Sequence, residues 1–189
     1  MLTKVDRENA TQREAAPTGI EILSVATAVP EHKVTTDDAA HRARTVFPHL
    51  ARLDSLYTNT GIEMRYSVHP CDWYHVTRTW EERTASFQRY ALVLLEKVAV
   101  DAVKAAGLEI RDIDAIVLNT ITGLAVPSLD ARLMNKLPFK PTVERLPIFG
   151  IGCGGGVAGL SRAARLAQAT PGSKVLFLTV DLCSLCLRL

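Results

Sequence analysis

The sequence lacks an apolar run of membrane-spanning length. Its richest stretch, residues 91–100, is interrupted by Glu96 and Lys97, and a transmembrane helix is excluded. It also lacks a charge excess. Lysine and arginine number 22 against 20 aspartates and glutamates, with the signs interspersed, so no field is built for nucleic-acid phosphates or anionic lipid. Neither is an expected partner. Residues 1–17 carry charges of both signs and no apolar segment, unlike a secretory signal, and a cytoplasmic location is expected. Cysteine is sparse. Four in 189 residues, in no regular framework, suit a reducing compartment better than a disulfide scaffold.

What is present is 48% hydrophobic and 22% charged sequence, enough for one substantial core. Residues 1–18 show no apolar period and read as a flexible leader. Residues 20–25 are aliphatic or β-branched and predict a buried strand, closed by the turn at Val29-Pro30. Thr35 and Thr36 are positioned to cap a helix over 37–46, a short helical piece is predicted over 50–59, and a strand over 62–68. The strongest period lies in 79–106: Phe87, Ala91, Leu94, Leu95, Val98, Ala102 and Val103 recur at helical spacing. Thr79 with Glu82 forms a capping-box signature, and Gly107 marks the stop.

Beyond it, 114–120 reads as a strand covered on both faces, 128–137 as a helix ended by Pro138, and 146–149 as a strand. A glycine-rich turn over 150–156, a helix over 157–169 and a strand over 174–180 complete the pattern. This alternation predicts an α/β domain with a mostly parallel mixed sheet and helices on both faces. The chain ends a few residues past a predicted central strand, which predicts a domain cut short.

The sharpest chemical feature is Phe149-Gly150-Ile151-Gly152-Cys153-Gly154-Gly155-Gly156-Val157, a thiol among glycines where a strand turns into a helix. The glycines let a ligand carbonyl approach the backbone closely. A sulfur at a helix start lies near unpaired N–H groups and the positive end of the helix dipole, favouring thiolate. Those N–H groups also suit an oxyanion on an acyl group held by the sulfur. Two other readings stay open. Cys153 fits an inert small hydrophobe in a tight turn, and Gly150-x-Gly152-x-x-Gly155 matches a dinucleotide-binding fingerprint, with Asp181 as its acid.

Cys183-Ser184-Leu185-Cys186 is a C-x-x-C, but no second such pair and no paired histidines supply further zinc ligands. No metal is expected, and a structural or pocket-lining role is favoured. His32, His41, His49, His69 and His75 all precede Cys153 in segments that read as surface helix or loop. None has a context that nominates it as a base.

Several spaced motifs occur together in order: Thr60-Gly61-Ile62-Glu63-Met64-Arg65-Tyr66-Ser67, then Asn119-Thr120-Ile121-Thr122-Gly123-Leu124-Ala125-Val126-Pro127, then the cysteine turn, then residues 175–186. From Gly19 onward the chain resembles the amino-terminal half of a type III polyketide synthase of the chalcone synthase family, in its bacterial branch. The resemblance implies a thiolase-like fold of two similar α/β halves, assembled as a homodimer. It implies an acyltransferase that loads an acyl-CoA starter on its cysteine, decarboxylates malonyl-CoA and condenses the two, with no cofactor beyond the CoA thioesters.

By the same resemblance Cys153 is the acyl-carrying nucleophile, and the family's partner histidine and asparagine belong to the second half. Thr122 falls beside the active-site cavity, Val126 where a side chain reaches into the neighbouring subunit, and Cys183 and Cys186 on the pocket wall. Arg52 matches one of three basic CoA-binding positions, with Ser55 and Asn59 at the other two. Small wall residues leave volume for longer acyl chains, so a fatty-acyl starter and an alkylpyrone or alkylresorcinol product are expected. Alternatives are a ketoacyl carrier-protein synthase of the initiating type and a catalytically incomplete fragment serving binding or dimerisation.

Overall fold

The structure, a computed structural model, describes residues 19–46 and 54–187. Along the chain these form β1 (His32–Thr35), α1 (Thr36–Val46), α2 (Asp54–Asn59), β2 (Met64–Ser67), α3 (Trp80–Ala105) and β3 (Ala115–Thr120). There follow α4 (Leu129–Met134), β4 (Glu144–Phe149), α5 (Gly155–Ala169) and β5 (Val175–Thr179), with 3-10 turns at Cys71–His75, Ile110–Asp112, Gly152–Gly154 and Cys183–Cys186.

The core is built on β3, all six of whose residues are buried. It lies between β4 and β5 and is parallel to both, with Asn119 opposite Ile148 on one side and Thr179 on the other. Helix α3 begins where its sequence dictates. Thr79 accepts from the Glu82 amide at 3.2 Å while Glu82 accepts from the Thr79 amide at 2.8 Å, and Gly107 adopts a φ of 70° just past the end. Phe87, Ala91, Leu95, Ala99 and Val103 form its buried stripe and share one apolar cluster with Ile116, Leu118, Leu176 and Leu178 of the sheet. Each fully buried large side chain stabilises the domain by roughly 1.5–3 kcal/mol. On the opposite sheet face Val117 and Ile148 pack with Ala163 of α5. Helices therefore cover both faces, as the alternation predicts.

Two local expectations are corrected. Residues 20–25 belong to no strand, and Ile20, Ile22, Leu23 and Val25 are exposed. Aliphatic content marks a segment suited to a sheet, but a strand also needs an edge to pair with; none of the described residues pairs with these. Ser24 tethers the segment by donating to the Ala102 carbonyl of α3 at 2.7 Å. The polar stretch His32–Thr35, by contrast, is a strand, antiparallel to β2 with His32 opposite Ser67.

The histidine reading is corrected at His69, which is half-buried rather than a plain surface residue. Its ring stacks on Trp73 at 4.2 Å, and its Nε2 meets Ser86 Oγ of α3 at 2.9 Å. Desolvation first, then the charges of His32, Arg78 and Arg89, push its pKa down. His49 and the predicted leader lie outside the described residues.

Asp114 clasps the amino ends of all three parallel strands. Its carboxylate pairs with Lys140 and accepts from the Lys174 amide at 2.7 Å, and its carbonyl accepts from the Glu144 amide at 2.9 Å. The Lys140 bond first, and the Lys174 amide next, hold its carboxyl below the usual carboxylate range. A depressed folded-state pKa stabilises above the unfolded value of about 4, and the contribution is lost as pH falls through the folded value. Asp114→Asn should therefore cost about 1 kcal/mol at neutral pH, kept small by solvent screening of the partly exposed pair. Urea melts of the complete protein should show the deficit shrinking below pH of about 4; a deficit independent of pH would contradict this.

Candidate active site

Parallel strands deliver their carboxyl ends, and the loops that follow, to one end of the sheet, where ligands of open α/β sheets bind. Here three such loops meet. After β4, Gly150 and Gly152 adopt φ values of 87° and 68°, a left-handed backbone that a side chain would strain. The chain thereby swings into the turn Gly152–Gly154, with Cys153 at its centre and exposed. Helix α5 starts directly afterwards with no side chain capping its amino end, its Gly155 N–H donating to the Gly152 carbonyl. The sulfur thus stands immediately ahead of the helix rather than inside its first turn.

Gly155 seats this turn on β3. A Cβ there would stand 2.3 Å from Asn119 Oδ1, and Asn119 is buried with its Nδ2 donating to Thr179 Oγ1 at 3.3 Å. Only a glycine allows the helix start to lie this close to the strand. Gly152 in turn faces Ile121, whose Cδ1 would lie 3.9 Å from a Cβ at that position.

The loops after β3 and β5 are joined by Asp181. Its Oδ1 accepts from the Ile121 amide at 2.9 Å, Thr122 Oγ1 at 3.1 Å and Thr120 Oγ1 at 3.3 Å. Thr122 Oγ1 accepts in return from the Leu182 amide at 2.8 Å. The Cys186 thiol donates to the Thr122 carbonyl at 3.6 Å. Thr122 therefore ties the two loops together as well as standing beside the cysteines. Asp181, considered from sequence only as the acid of a dinucleotide site, has that oxygen engaged by three donors at the end of β3 and in the loop after it. Its signal lay in register: Asn119 opposite Thr179 places Thr120–Thr122 beside the residues that follow β5.

Cys183 and Cys186 are exposed at this same end. Desolvation first, then the charges of Asp181, Cys186 and Cys153, push the Cys183 thiol up. That favours the neutral thiol at Cys183. The structure thus brings Cys153, Thr122, Cys183 and Cys186 together. Val126 is 91% exposed at the tip of the loop after β3, held from behind by Arg132, whose Nε donates to the Pro127 carbonyl at 2.9 Å and whose Nη2 donates to the Val126 carbonyl at 3.3 Å. Arg52 lies outside the described residues; Ser55 and Asn59 bound much of α2. Among the described residues no group of three or more His, Cys, Asp or Glu side chains is arranged to hold a metal, and no helix is long and apolar enough to cross a membrane.

Residues 7–189 match the family model for the amino-terminal domain of chalcone and stilbene synthases. The chain is 34% identical over 174 residues to 1,3,6,8-tetrahydroxynaphthalene synthase of Streptomyces peucetius subsp. caesius, covering 90% of this chain and 46% of that protein. It is 31% identical over 160 residues to phloroglucinol synthase of Pseudomonas fluorescens, covering 83% and 46%. Among solved structures it superposes with a TM-score of 0.80 and 32% identity on 1,3,6,8-tetrahydroxynaphthalene synthase of Streptomyces coelicolor A3(2), a bacterial type III polyketide synthase, over 86% of this chain and 47% of that one. The chain spans about half the length of the relatives it matches.

Proposed function

Because this chain belongs to the chalcone and stilbene synthase family, as its amino-terminal domain with a thiolase-like fold, we propose that it carries the acyl-loading half of a type III polyketide synthase. Cys153 is the nucleophile. Its thiolate attacks the carbonyl carbon of an acyl-CoA, a new S–C bond forms, and the CoA thiolate leaves and takes up a proton. Malonyl-CoA then loses CO2, and the electron pair left on its α-carbon forms a C–C bond to the acyl carbon. The Cys153–acyl bond breaks in that step, returning the thiolate and releasing a β-ketoacyl-CoA.

The observation that carries this reading is the placement of one exposed sulfur ahead of a 15-residue helix that no side chain caps, at the end of the sheet where three loops meet. The positive end of the helix dipole suits the oxyanion of the tetrahedral intermediate. Arg52 is proposed to contact CoA, and Val126 to reach a second subunit of a homodimer. Incubating the complete enzyme with acyl-CoA and either malonyl-CoA or malonyl carrier protein tests the assignment. CO2 release and a cyclised polyketide from malonyl-CoA are expected; turnover with the carrier protein alone would establish a ketoacyl synthase instead.

Cys183 and Cys186 are proposed to wall the acyl pocket, and their small volume to admit a fatty-acyl starter and an alkylpyrone or alkylresorcinol product. Cys186→Phe should then shift the kcat/KM ratio of lauroyl-CoA to hexanoyl-CoA about tenfold or more toward the short starter, since lost pocket volume excludes methylenes worth about 1–3 kcal/mol each. An unchanged ratio would remove Cys186 from the wall.

A further inference from the structure

We propose that Tyr74, together with Arg83, is a positioning residue that sets the shape of the wall carrying Cys183 and Cys186; this rests on the reading of that wall given above. The turn Cys183–Cys186 is four residues long and has no side-chain cap. Its backbone closes on itself through Leu185 N to Leu182 O at 2.9 Å and Leu187 N to Ser184 O at 3.3 Å. A short 3-10 segment of this kind has poor hydrogen-bond geometry and takes its exact shape from its supports.

Two supports reach it from the body of the domain. Arg83, buried in the first turn of α3, donates through Nη1 to the carbonyls of Leu185, at 2.8 Å, and Leu187. Tyr74, in the turn Cys71–His75, meets Ser184 Oγ through its hydroxyl at 3.0 Å. Two of the supported residues, Ser184 and Leu185, lie between the thiols. Leu185 is buried and Ser184 half-buried, while Cys183 and Cys186 are exposed, and their three-residue spacing puts them on one face of the turn. A shift of Ser184 or Leu185 therefore moves both sulfurs.

Tyr74 is itself held firmly. Its ring lies edge-on to Trp73 at 4.9 Å and to His69 at 6.4 Å, and Arg78 covers the Trp73 ring at 5.0 Å. Through the His69–Ser86 contact this cluster is fastened to α3. Removing only the Tyr74 hydroxyl leaves the rings packed and takes away one support of the turn. Removing Arg83 would strand the buried Leu185 carbonyl and threaten folding, so the test uses the hydroxyl pair.

In the complete enzyme, kcat/KM is measured for hexanoyl-CoA and lauroyl-CoA with malonyl-CoA, for Tyr74→Phe, Ser184→Ala and the double variant. Each single change should alter the ratio of the two starters by about three- to tenfold, the range one hydrogen bond supports. The double variant should move it no further than either single, because both remove the same contact, with thermal midpoints close to the parent. Unchanged ratios in both singles, with Cys186→Phe still shifting selectivity, would overturn the role of Tyr74 and leave the pocket reading standing. Additive shifts in the double variant would overturn it as well. If Cys186→Phe also changes nothing, the pocket reading fails and this inference falls with it.

Discussion

Cys153→Ala should abolish covalent acyl loading and lower polyketide formation at least about a thousandfold, the scale of losing a nucleophile that acts as a unit with its surroundings. The measurement is intact-protein and peptide mass spectrometry after incubation of the complete enzyme with acyl-CoA. The parent should gain one acyl mass on the peptide containing residues 149–157, and the variant none. The other sulfurs provide the control. Cys183 is held up by desolvation and by Asp181, and Cys186 is engaged with the Thr122 carbonyl. An acyl group persisting on the peptide that contains these two would transfer the nucleophile's role away from Cys153.

The second large effect is expected from a single methyl group. In Gly155→Ala the new Cβ would stand 2.3 Å from Asn119 Oδ1 and 2.6 Å from Nδ2, well inside contact distance. Asn119 is 3% exposed and bonded to Thr179, so it has little room to retreat. Overpacking of this kind costs about 1–3 kcal/mol, and relief comes most readily by lifting the start of α5 from β3, which displaces Cys153. Acyl loading should fall by more than tenfold while the melting temperature falls by several degrees, as expected for roughly 1–3 kcal/mol in a domain of this size. Gly156, with open space around its position, is the comparison: Gly156→Ala should leave both quantities near the parent. Equal behaviour of the two variants would show that the close approach at Gly155 has no consequence for the sulfur.

The parts of the fold legible in the sequence are those whose signal is local. Helix α3 announces itself by its period and by Thr79 with Glu82, and β3 by a short, nearly continuous apolar run. The cysteine turn is equally local, since glycines on both sides of a thiol have a meaning that needs no partner. Residues 20–25 and His32–Thr35 fail in opposite directions for one reason. Whether a segment becomes a strand depends on a paired edge elsewhere in the chain, so aliphatic residues without one stay outside the sheet while a polar His-Lys-Val-Thr finds β2 and joins it. The site divides likewise. Thr122 entered through family resemblance and Cys183 and Cys186 through their C-x-x-C spacing, whereas Asp181 and Arg83 act across about sixty and a hundred residues of chain, a separation that no periodicity reports.

Cys153 follows β4, the loop bearing Thr122 follows β3 and the turn bearing Cys183 and Cys186 follows β5, so each component hangs from its own strand. That separation makes the architecture evolvable. One hanging segment can change its sequence while Cys153 keeps its seat after β4. Asp181 is the exception, because its carboxylate fastens two of the hanging segments to each other and obliges them to change in concert.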